Sequence, residues 1–289
     1  MMPSPSEDTT IEAAPAASPL AVVRELTKVF SLKEAGRKRG TLTAVDRVNF
    51  DIFPGTTLGI VGESGSGKST TAMMLAGLTK PTSGQALVAG TDLATAGRVE
   101  LRALRRDVQI VFQDPHSSLD PRMSVRQAIE EPLLVHRVGD RASRGQRVAE
   151  LLETVGLRPE YAQRHPHQLS GGQAQRVSIA RALALEPRFI ILDEPIASLD
   201  LSIQAQILNL LRKLQDDLGL AYLFIGHDLA AVAYISDMVA VMHNGRIVEF
   251  GPVGLLHDAP KEDYTKMLLD ASLTPERHLG RFNGRVKLT

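Results

Sequence analysis

The sequence contains no cysteine and no excess of charge of either sign, and both absences exclude classes of site and partner. Without cysteine, the chain has no disulfide, thiolate zinc site, cysteine-ligated iron–sulfur cluster or catalytic thiol. The 33 basic residues balance 33 acidic residues, so no overall field attracts nucleic acid or an anionic membrane. We therefore predict that nucleic acid is not a partner.

Long hydrophobic runs are also missing. No apolar stretch approaches the roughly 18–20 residues of a membrane-spanning helix, so we expect any membrane contact to come through a partner protein. A composition of 43% apolar and 23% charged residues is ordinary for a globular protein of one or two domains. Residues 1–20 are rich in Ala, Pro, Ser and Thr and lack the pattern of a signal peptide, so we predict a disordered leader there.

Short apolar segments alternate with helical periodicity along much of the chain. Residues 21–30 and 44–53 are predicted strands, and the basic stretch 31–41 between them is predicted to be a solvated loop. Further strand-like segments lie at residues 57–61, 189–192, 222–225 and 238–242. Their alternation with helices predicts an α/β fold with a mostly parallel sheet, interrupted by a helical lobe at about 114–187.

Two helices carry clear local signals. Ser124 and Gln127 have the spacing of a capping box at a helix start. A single apolar stripe of helical period predicts another helix with one buried face. The stripe consists of Ile203, Ile207, Leu210, Leu211, Leu214 and Leu218.

A glycine-rich loop follows the apolar segment 57–61. The run Gly62-Glu63-Ser64-Gly65-Ser66-Gly67-Lys68-Ser69 matches G-x-x-x-x-G-K-[ST] at every fixed position. Glycines let backbone N–H groups point at phosphate oxygens, and the helix that begins near Lys68 adds its positive end. We predict that Lys68 reaches the β- and γ-phosphates of a nucleoside triphosphate and that the Ser69 hydroxyl binds Mg²⁺. The alternative is a glycine-rich turn that binds nothing.

Two carboxylates end the apolar segment 189–192. A buried strand at this position would deliver Asp193 to the coordination shell of Mg²⁺. Glu194 follows directly, where its carboxylate is able to accept a hydrogen bond from the attacking water as a general base. The alternative is a strand that ends in a solvated acidic turn.

A second turn with anion-binding chemistry lies further along the chain. Ser170, Gly171, Gly172 and Gln173 follow Leu169 at the start of a helical segment. A hydroxyl and two glycines at a helix start form a nest for an anion. A single triphosphate needs only one such loop. The presence of two anion-binding turns in one chain therefore narrows the set of nucleotide-binding families to which the chain could belong.

The LSGGQ run, combined with the phosphate loop and the Asp-Glu strand end, resembles the ATPase subunits of ABC transporters over residues 21–270. The resemblance implies a P-loop NTPase (RecA-like) core with a mainly parallel sheet, an antiparallel β subdomain and an inserted α-helical subdomain, with a C-terminal extension at 271–289. It also implies a head-to-tail dimer in which each ATP lies between the phosphate loop of one subunit and the LSGGQ turn of the other. The implied nucleotide-binding residues of the two loops are Gly62, Ser64, Gly65, Gly67, Lys68, Ser69, Thr70, Ser170, Gly171, Gly172 and Gln173.

Further positions match single residues of that family. Gln113 resembles the glutamine that contacts Mg²⁺ and links the core to the helical lobe; otherwise it is a surface residue. His227 resembles the switch histidine at the γ-phosphate, with a strand-end structural histidine as the alternative. Asp200 resembles the aspartate whose loop crosses the dimer. Phe30 is the implied ring that stacks on adenine, unless it is a core phenylalanine. The implied catalytic residues are Glu194, His227, Gln113 and Lys68, and the implied metal ligands are Ser69, Gln113 and Asp193.

Several local runs resemble the oligopeptide/dipeptide import branch of the family. They are QDP at 113–115, SSLDPRM at 117–123, PHQ at 166–168, SIQAQ at 202–206, GRIVE at 245–249 and YTK at 264–266. The resemblance implies a bacterial peptide importer, with this chain peripheral at the cytoplasmic face of the inner (plasma) membrane. Implied partners are a second ATPase subunit, homologous or identical, two transmembrane permease subunits and an extracytoplasmic solute-binding protein. The alternatives are import of nickel or another small solute, and a soluble ABC ATPase outside transport.

Two positions depart from the family pattern. Gly226 stands where a serine is usual before the switch histidine, and we expect this to loosen the placement of His227. Ala197-Ser198 reverses the usual order of these two residues before Leu199. Neither change removes a catalytic group.

Overall fold

A computed structural model describes residues 18–34 and 37–272 of the chain. Most of the predicted leader and of the predicted C-terminal extension lies outside these residues. Leu20, at the end of the predicted leader, is buried and donates its backbone N–H to the Ile52 carbonyl, so the ordered fold begins earlier than residue 21. No helix among the described residues is both long and apolar enough to cross a membrane.

The helices and strands alternate along the described chain. The strands are β1 (Ala21–Glu34), β2 (Arg37–Ile52), β3 (Thr57–Val61), β4 (Ser83–Val88), β5 (Thr91–Asp92), β6 (Val108–Val111), β7 (Phe189–Asp193), β8 (Ala221–Gly226), β9 (Met238–His243) and β10 (Arg246–Pro252). The helices are α1 (Lys68–Leu75), α2 (Arg98–Asp107), α3 (Pro115–Ser118), α4 (Val125–Val135), α5 (Arg141–Thr154), α6 (Gly171–Leu183), α7 (Leu201–Leu218), α8 (Leu229–Ile235), α9 (Val253–Asp258) and α10 (Asp263–Ser272), with 3₁₀ turns at Pro159–Gln163 and Pro166–Gln168.

A six-stranded sheet in the order β10-β9-β3-β8-β7-β6 forms the centre of the protein. All its neighbouring strands are parallel except β9 and β10. Val61 at the end of β3 pairs with Gly226, and Asp193 at the end of β7 pairs with Ile225. The carboxyl ends of β3, β8 and β7 therefore meet at one edge, where ligands bind in open parallel sheets.

Alternate residues of the central strands enter two different cores. On β7, Phe189 and Ile191 pack with α1 and the antiparallel sheet, whereas Ile190 and Leu192 pack toward the helices on the opposite face. These strands are buried on both sides, which explains why their sequences are continuously apolar rather than alternating. The predicted mostly parallel α/β sheet is confirmed.

A second sheet has the antiparallel order β2-β1-β4-β5. It corrects the loop predicted at residues 31–41, because β1 continues to Glu34 and pairs with β2, with Leu32 opposite Gly40. Exposure explains the error: Leu32 and Leu42 are 48% and 53% exposed. A hairpin with so little buried surface carries no hydrophobic alternation by which a sequence pattern would reveal it.

The helices α3 to α6 lie between β6 and β7, in the stretch predicted as a helical lobe. The predicted capping box at α4 is present: Ser124 N–H donates to Gln127 Oε1 at 2.8 Å, and Gln127 N–H donates to Ser124 Oγ at 3.3 Å. α4 packs against α5 and α6, and their apolar faces join the core on one side of the central sheet. The boundaries of the lobe stay a prediction.

Helix α7 provides a direct test of this layered packing. Leu211 is fully buried against the sheet, and Leu218 on the same helix is 55% exposed. Leu211→Ala removes buried methyl groups and leaves a cavity, so we expect it to lower the free energy of unfolding by about 2–5 kcal/mol. Leu218→Ala is the matched control and should change it by less than about 0.5 kcal/mol. Urea unfolding of the two variants measures the difference; equal losses would contradict the packing of α7.

Candidate nucleotide-binding site

The loop between β3 and α1, residues 62–69, is called the phosphate loop below. Two of its glycines contact the backbone of neighbouring strands, Gly62 that of β9 and Gly67 that of β2. A Cβ on Gly62 would lie 2.1 Å from the Met242 carbonyl oxygen, and one on Gly67 would lie 2.3 Å from that of Ala44. Gly67 also has a φ of 107°, which residues with a Cβ rarely adopt. Glycine is therefore required at both positions by close contact as well as by backbone angle.

Lys68 crosses the inside of this loop. Its Nζ donates to the carbonyl oxygens of Gly62 and Glu63 at 2.7 and 2.8 Å, and the residue is only 4% exposed. Burial lowers the pKa of Lys68, while the charges of Glu194 and Asp193 oppose that shift. Ser66 Oγ is also buried and has no hydrogen-bond partner among the described residues. An ammonium held by carbonyls and an unpaired hydroxyl fit phosphate oxygens as ligands.

The exposed tip and the helix start complete the loop. Ser64 and Gly65 are exposed, and Thr70 is half-buried in the first turn of α1. Helix α1 begins at Lys68, so its first turn contains Lys68, Ser69 and Thr70. Backbone N–H groups at a helix N-terminus attract anions.

Asp193 and Ser69 meet beside the phosphate loop. Ser69 Oγ donates to Asp193 Oδ1 at 2.9 Å. Asp193 is 6% exposed, and burial raises its pKa although the hydrogen bond from Ser69 opposes the shift. A buried carboxylate next to a hydroxyl is a set of hard oxygen ligands that suits Mg²⁺. Gln113 lies two residues beyond β6 at the same sheet edge, but its side chain is exposed and makes no hydrogen bond to Ser69 or Asp193 in the described structure.

Glu194 follows Asp193 in a strained backbone conformation. Its φ is 49°, which is unusual for a residue with a side chain, and its N–H donates to the Ile225 carbonyl at 3.0 Å. Glu194 Oε2 lies 3.6 Å from His227 Nδ1. Both side chains line a cavity of about 110 Å³. The structure thus brings together the two residues predicted to act at the γ-phosphate.

The turn at residues 170–173, called the signature turn below, begins α6 as a capping box. Ser170 N–H donates to Gln173 Oε1 at 3.1 Å, and Gln173 N–H donates to Ser170 Oγ at 3.4 Å. A Cβ on Gly172 would lie 2.6 Å from Ile203 Cγ2, so glycine lets α6 approach α7. Ser170 is exposed, and within the described residues no hydrogen bond links the signature turn to the phosphate loop of the same chain.

Asp200 and Phe30 also lie at the surface. Asp200 precedes α7 and is exposed without a side-chain capping bond. Phe30 is 39% exposed, with Lys28 Nζ 5.0 Å from its ring centroid, so the core alternative for Phe30 is wrong. Phe30 pairs with Leu42, two residues from Ala44, whose carbonyl contacts Gly67. Its exposed ring therefore lies on the strand pair that borders the phosphate loop.

The chain is similar to known proteins in sequence and in fold. A family profile described as ABC transporter matches residues 45–197. The oligopeptide transport ATP-binding protein OppF of Bacillus subtilis (strain 168) is 50% identical over 251 residues, which cover 86% of this chain and 82% of that protein. The chain belongs to the ABC transporter family.

Further ABC relatives agree with this fold. The glutathione import ATP-binding protein GsiA of Salmonella choleraesuis (strain SC-B67) is 47% identical over 95% of this chain, but the chain spans only 44% of that protein's length. The dimeric structure of the ATP-binding cassette MJ0796 bound to ADP and Pi matches with a TM-score of 0.73 and 30% identity, over 81% of this chain and 98% of the cassette. The structure of cbiO1 from Clostridium perfringens matches with a TM-score of 0.71 and 30% identity, over 84% and 92%. The predicted fold class is confirmed.

Two tyrosines to which the sequence patterns gave no site role support the loops of this ABC-family chain. Tyr161 Oη accepts a hydrogen bond from Gln173 Nε2 at 2.9 Å, and Tyr264 Oη accepts one from the Glu63 N–H at 3.0 Å. The contact of Tyr264 joins segments that are distant in the sequence, and that of Tyr161 joins segments on either side of a 3₁₀ turn. No local spacing signals such contacts, because they depend on tertiary packing.

At Gly226, where the chain departs from the ABC pattern, the fold leaves little room for a side chain. A Cβ at this position would lie 2.8 Å from Val232 Cγ2 on α8, closer than two such carbons are able to approach. The backbone of Gly226 pairs with Val61 in the sheet, which holds it without a side chain. The expected looser placement of His227 stays a prediction.

This contact predicts the effect of restoring the usual serine. Gly226→Ser should lower the free energy of unfolding by about 1–3 kcal/mol through overpacking. Combining it with Val232→Ala should recover part of that loss, because the two sites share one contact. Gly251→Ser, at a glycine with open space around it, is the control and should be nearly neutral. Urea unfolding gives the comparison, and a Gly226→Ser protein as stable as the wild type would refute the steric account.

Proposed function

We propose that this chain binds and hydrolyses ATP as a subunit of an ABC importer, and that two such subunits close on ATP. The observation that carries the proposal is the separation of two phosphate-binding turns. Lys68, Asp193 and Glu194 converge on the phosphate loop, whereas the signature turn lies elsewhere on the same chain, with Ser170 exposed and the next three residues half-buried. Each chain thus has the proposed catalytic groups at its own phosphate loop, and its signature turn is available to contact the nucleotide bound to another copy.

The residues present fit ATP with Mg²⁺. The phosphate loop, Lys68 and the buried hydroxyl of Ser66 supply donors for phosphate oxygens, and Phe30 supplies an exposed ring for adenine. Ser69 and Asp193 would hold the ion, with Gln113 as a third ligand from the edge of the sheet. When bound, Mg²⁺ neutralises charge on the β- and γ-phosphates. Ion binding would also relieve the cost of keeping the Asp193 carboxylate ionised in a buried place.

Glu194 is the proposed general base. Phosphoryl transfer to water requires the nucleophile to be oriented in line with the γ-phosphate, and a carboxylate does this by accepting a hydrogen bond from it. The positive φ of Glu194 departs from the extended backbone of the strand that ends in Asp193. His227, whose Nδ1 lies 3.6 Å from Glu194 Oε2, is the proposed donor to a γ-phosphate oxygen. The Glu194 side chain is only 17% exposed, whereas that of His227 is 59% exposed.

The proposed dimer places the signature turn of one copy over the phosphate loop of the other. Ser170 and the two glycines after it offer a hydroxyl and a helix N-terminus to the γ-phosphate. The exposed carboxylate of Asp200 begins the neighbouring helix and is available to cross the interface. A solved structure of the related MJ0796 cassette is a dimer bound to ADP and Pi, which supports this assembly. The paired subunit is identical or homologous.

A groove between the core and the α4–α6 helices is the proposed contact for the permease subunits. It has a volume of about 250 Å³ and is lined by the ends of α1, β6 and α4. Leu78 and Val135 line it and are 49% and 56% exposed. Because β6 leads directly to Gln113, a permease segment in this groove would touch the element that connects the lobe to the nucleotide site.

Relatives guide the proposed cargo and location. Similar proteins are named for oligopeptide transport and glutathione import, so we infer a peptide as the cargo, with nickel or another small solute as the alternative. An extracytoplasmic solute-binding protein would deliver it to two transmembrane permease subunits. The chain itself would bind their cytoplasmic ends at the inner membrane.

Replacing the proposed base tests the catalytic assignment. Glu194→Gln keeps the shape of the side chain but weakens its ability to accept a proton, so ATP hydrolysis should fall by about 10²-fold or more. ATP binding should persist, and gel filtration with ATP should show an accumulated dimer. Steady-state phosphate release measures the rate.

The matched control is Glu160→Gln, because Glu160 is a carboxylate with 73% exposure away from the site. Its hydrolysis rate should equal that of the wild type. Normal hydrolysis by Glu194→Gln would show that another group activates water.

A charged residue in the groove tests the permease contact. Val135→Asp would bury a carboxylate at the proposed contact with a permease segment, so complex formation and peptide uptake should fall by about tenfold or more. Val99→Asp is the control, because Val99 is 83% exposed on α2 and does not line the groove. Co-purification with the permease pair and uptake into vesicles measure both variants. Equal behaviour of the two variants would remove the groove as the docking site.

A further inference from the structure

One peptide unit of the phosphate loop is bonded on both of its sides. The carbonyl of Gly62 accepts a hydrogen bond from Lys68 Nζ at 2.7 Å. The N–H of Glu63, in the same peptide plane, donates to Tyr264 Oη at 3.0 Å. A peptide that donates on one side becomes a better acceptor on the other, because linked hydrogen bonds polarise one another. Tyr264 therefore acts on Lys68 through a single peptide plane.

Tyr264 is fixed from several directions. Its ring stacks on His243 at the end of β9, with 4.0 Å between centroids and 10° between planes. The start of its helix is tied to β10, since Glu249 accepts hydrogen bonds from the N–H groups of Lys261 and Glu262 at 2.8 and 3.2 Å. Burial raises the pKa of Tyr264, so the hydroxyl stays neutral at physiological pH. A neutral hydroxyl on a fixed ring is a well-placed acceptor.

The same side of the phosphate loop receives a second support from the β9–β10 turn. The N–H of Gly245 donates to the Ser66 carbonyl at 2.9 Å. Met242 on β9 leaves no space beside Gly62 for a side chain. The backbone of the loop is thus fixed on the side of β9 and α10. Of these three contacts of the loop, those of Gly62 and Ser66 are with β9 and the β9–β10 turn. The third, from the Glu63 N–H, is with Tyr264 on α10.

We propose that Tyr264 is a positioning residue for ATP: it holds the Gly62–Glu63 peptide so that Lys68 is aligned with the bound phosphates. The inference rests on the proposed ATPase function. Tyr264 lies outside residues 45–197, the stretch that matches the family profile. The simpler role for this hydroxyl is to anchor α10 to the core, and the experiment separates the two roles.

Tyr264→Phe removes the acceptor but keeps the ring that stacks on His243. In the purified full-length chain, the Kd for Mg-ATP and the KM for hydrolysis should rise about 3- to 10-fold, because the lost hydrogen bond relaxes the loop that binds phosphate. The kcat should stay within about twofold, because Glu194 is untouched. Tyr234→Phe is the matched control: the Tyr234 hydroxyl bonds Asn209 on α7, and this change should leave both constants as in the wild type.

Amide hydrogen exchange on the same variants distinguishes positioning from anchoring. If Tyr264 positions the loop, amides of residues 62–66 exchange faster in Tyr264→Phe while those of α10 keep their protection. A Kd within twofold of the wild type overturns the proposal. So does a raised Kd accompanied by lost protection in α10, which marks an anchor of the helix. Wild-type protein that fails to bind Mg-ATP would instead refute the proposed function itself.

Discussion

The buried charges at the edge of the central sheet are the constraint on which the rest of the structure depends. Lys68 and Asp193 are almost completely buried, and each has a pKa shifted toward its neutral form by loss of water. They are tolerated because carbonyls hold the ammonium and Ser69 holds the carboxylate. Buried charges of this kind are costly for stability, and in the proposed function a ligand that carries both phosphate and a divalent cation would offset that cost.

Close approach of backbone segments sets the geometry around these charges. Gly62 and Gly67 admit neighbouring carbonyls at distances that exclude a Cβ, and Gly172 admits Ile203 in the same way at the start of α6. The parallel register then aligns Asp193 beside the loop without any long side chain reaching across. The positions of the phosphate loop and Asp193 are therefore set mainly by backbone packing. A densely packed core allows few other arrangements of these backbone segments.

Sequence patterns predicted what depends on local chemistry. The capping box of Ser124 and Gln127 and the phosphate loop involve neighbouring residues, so their spacing was sufficient. The hairpin of β1 and β2 was predicted as a loop, because exposed strands lack a buried face. The conflict between Gly226 and Val232 and the bond from Glu63 to Tyr264 join distant segments, and only the folded chain brings them together. All the site assignments stay predictions; for Gln113 and Asp200, no side-chain hydrogen bond within the described residues supports a role.

The contrast between the two phosphate-binding turns has a physical reason. The phosphate loop is fixed on several sides by β2, β9 and α10, whereas the signature turn is tied mainly to Tyr161 within its own lobe and to Ile203 on α7. A loop that must hold a polyphosphate before the partner arrives benefits from being pre-organised, because ordering it at the moment of binding would cost affinity. A turn that arrives with the second subunit needs only an exposed helix start. Under the proposed function, this unequal support would match an order of events in which nucleotide binds first and the second copy closes afterwards.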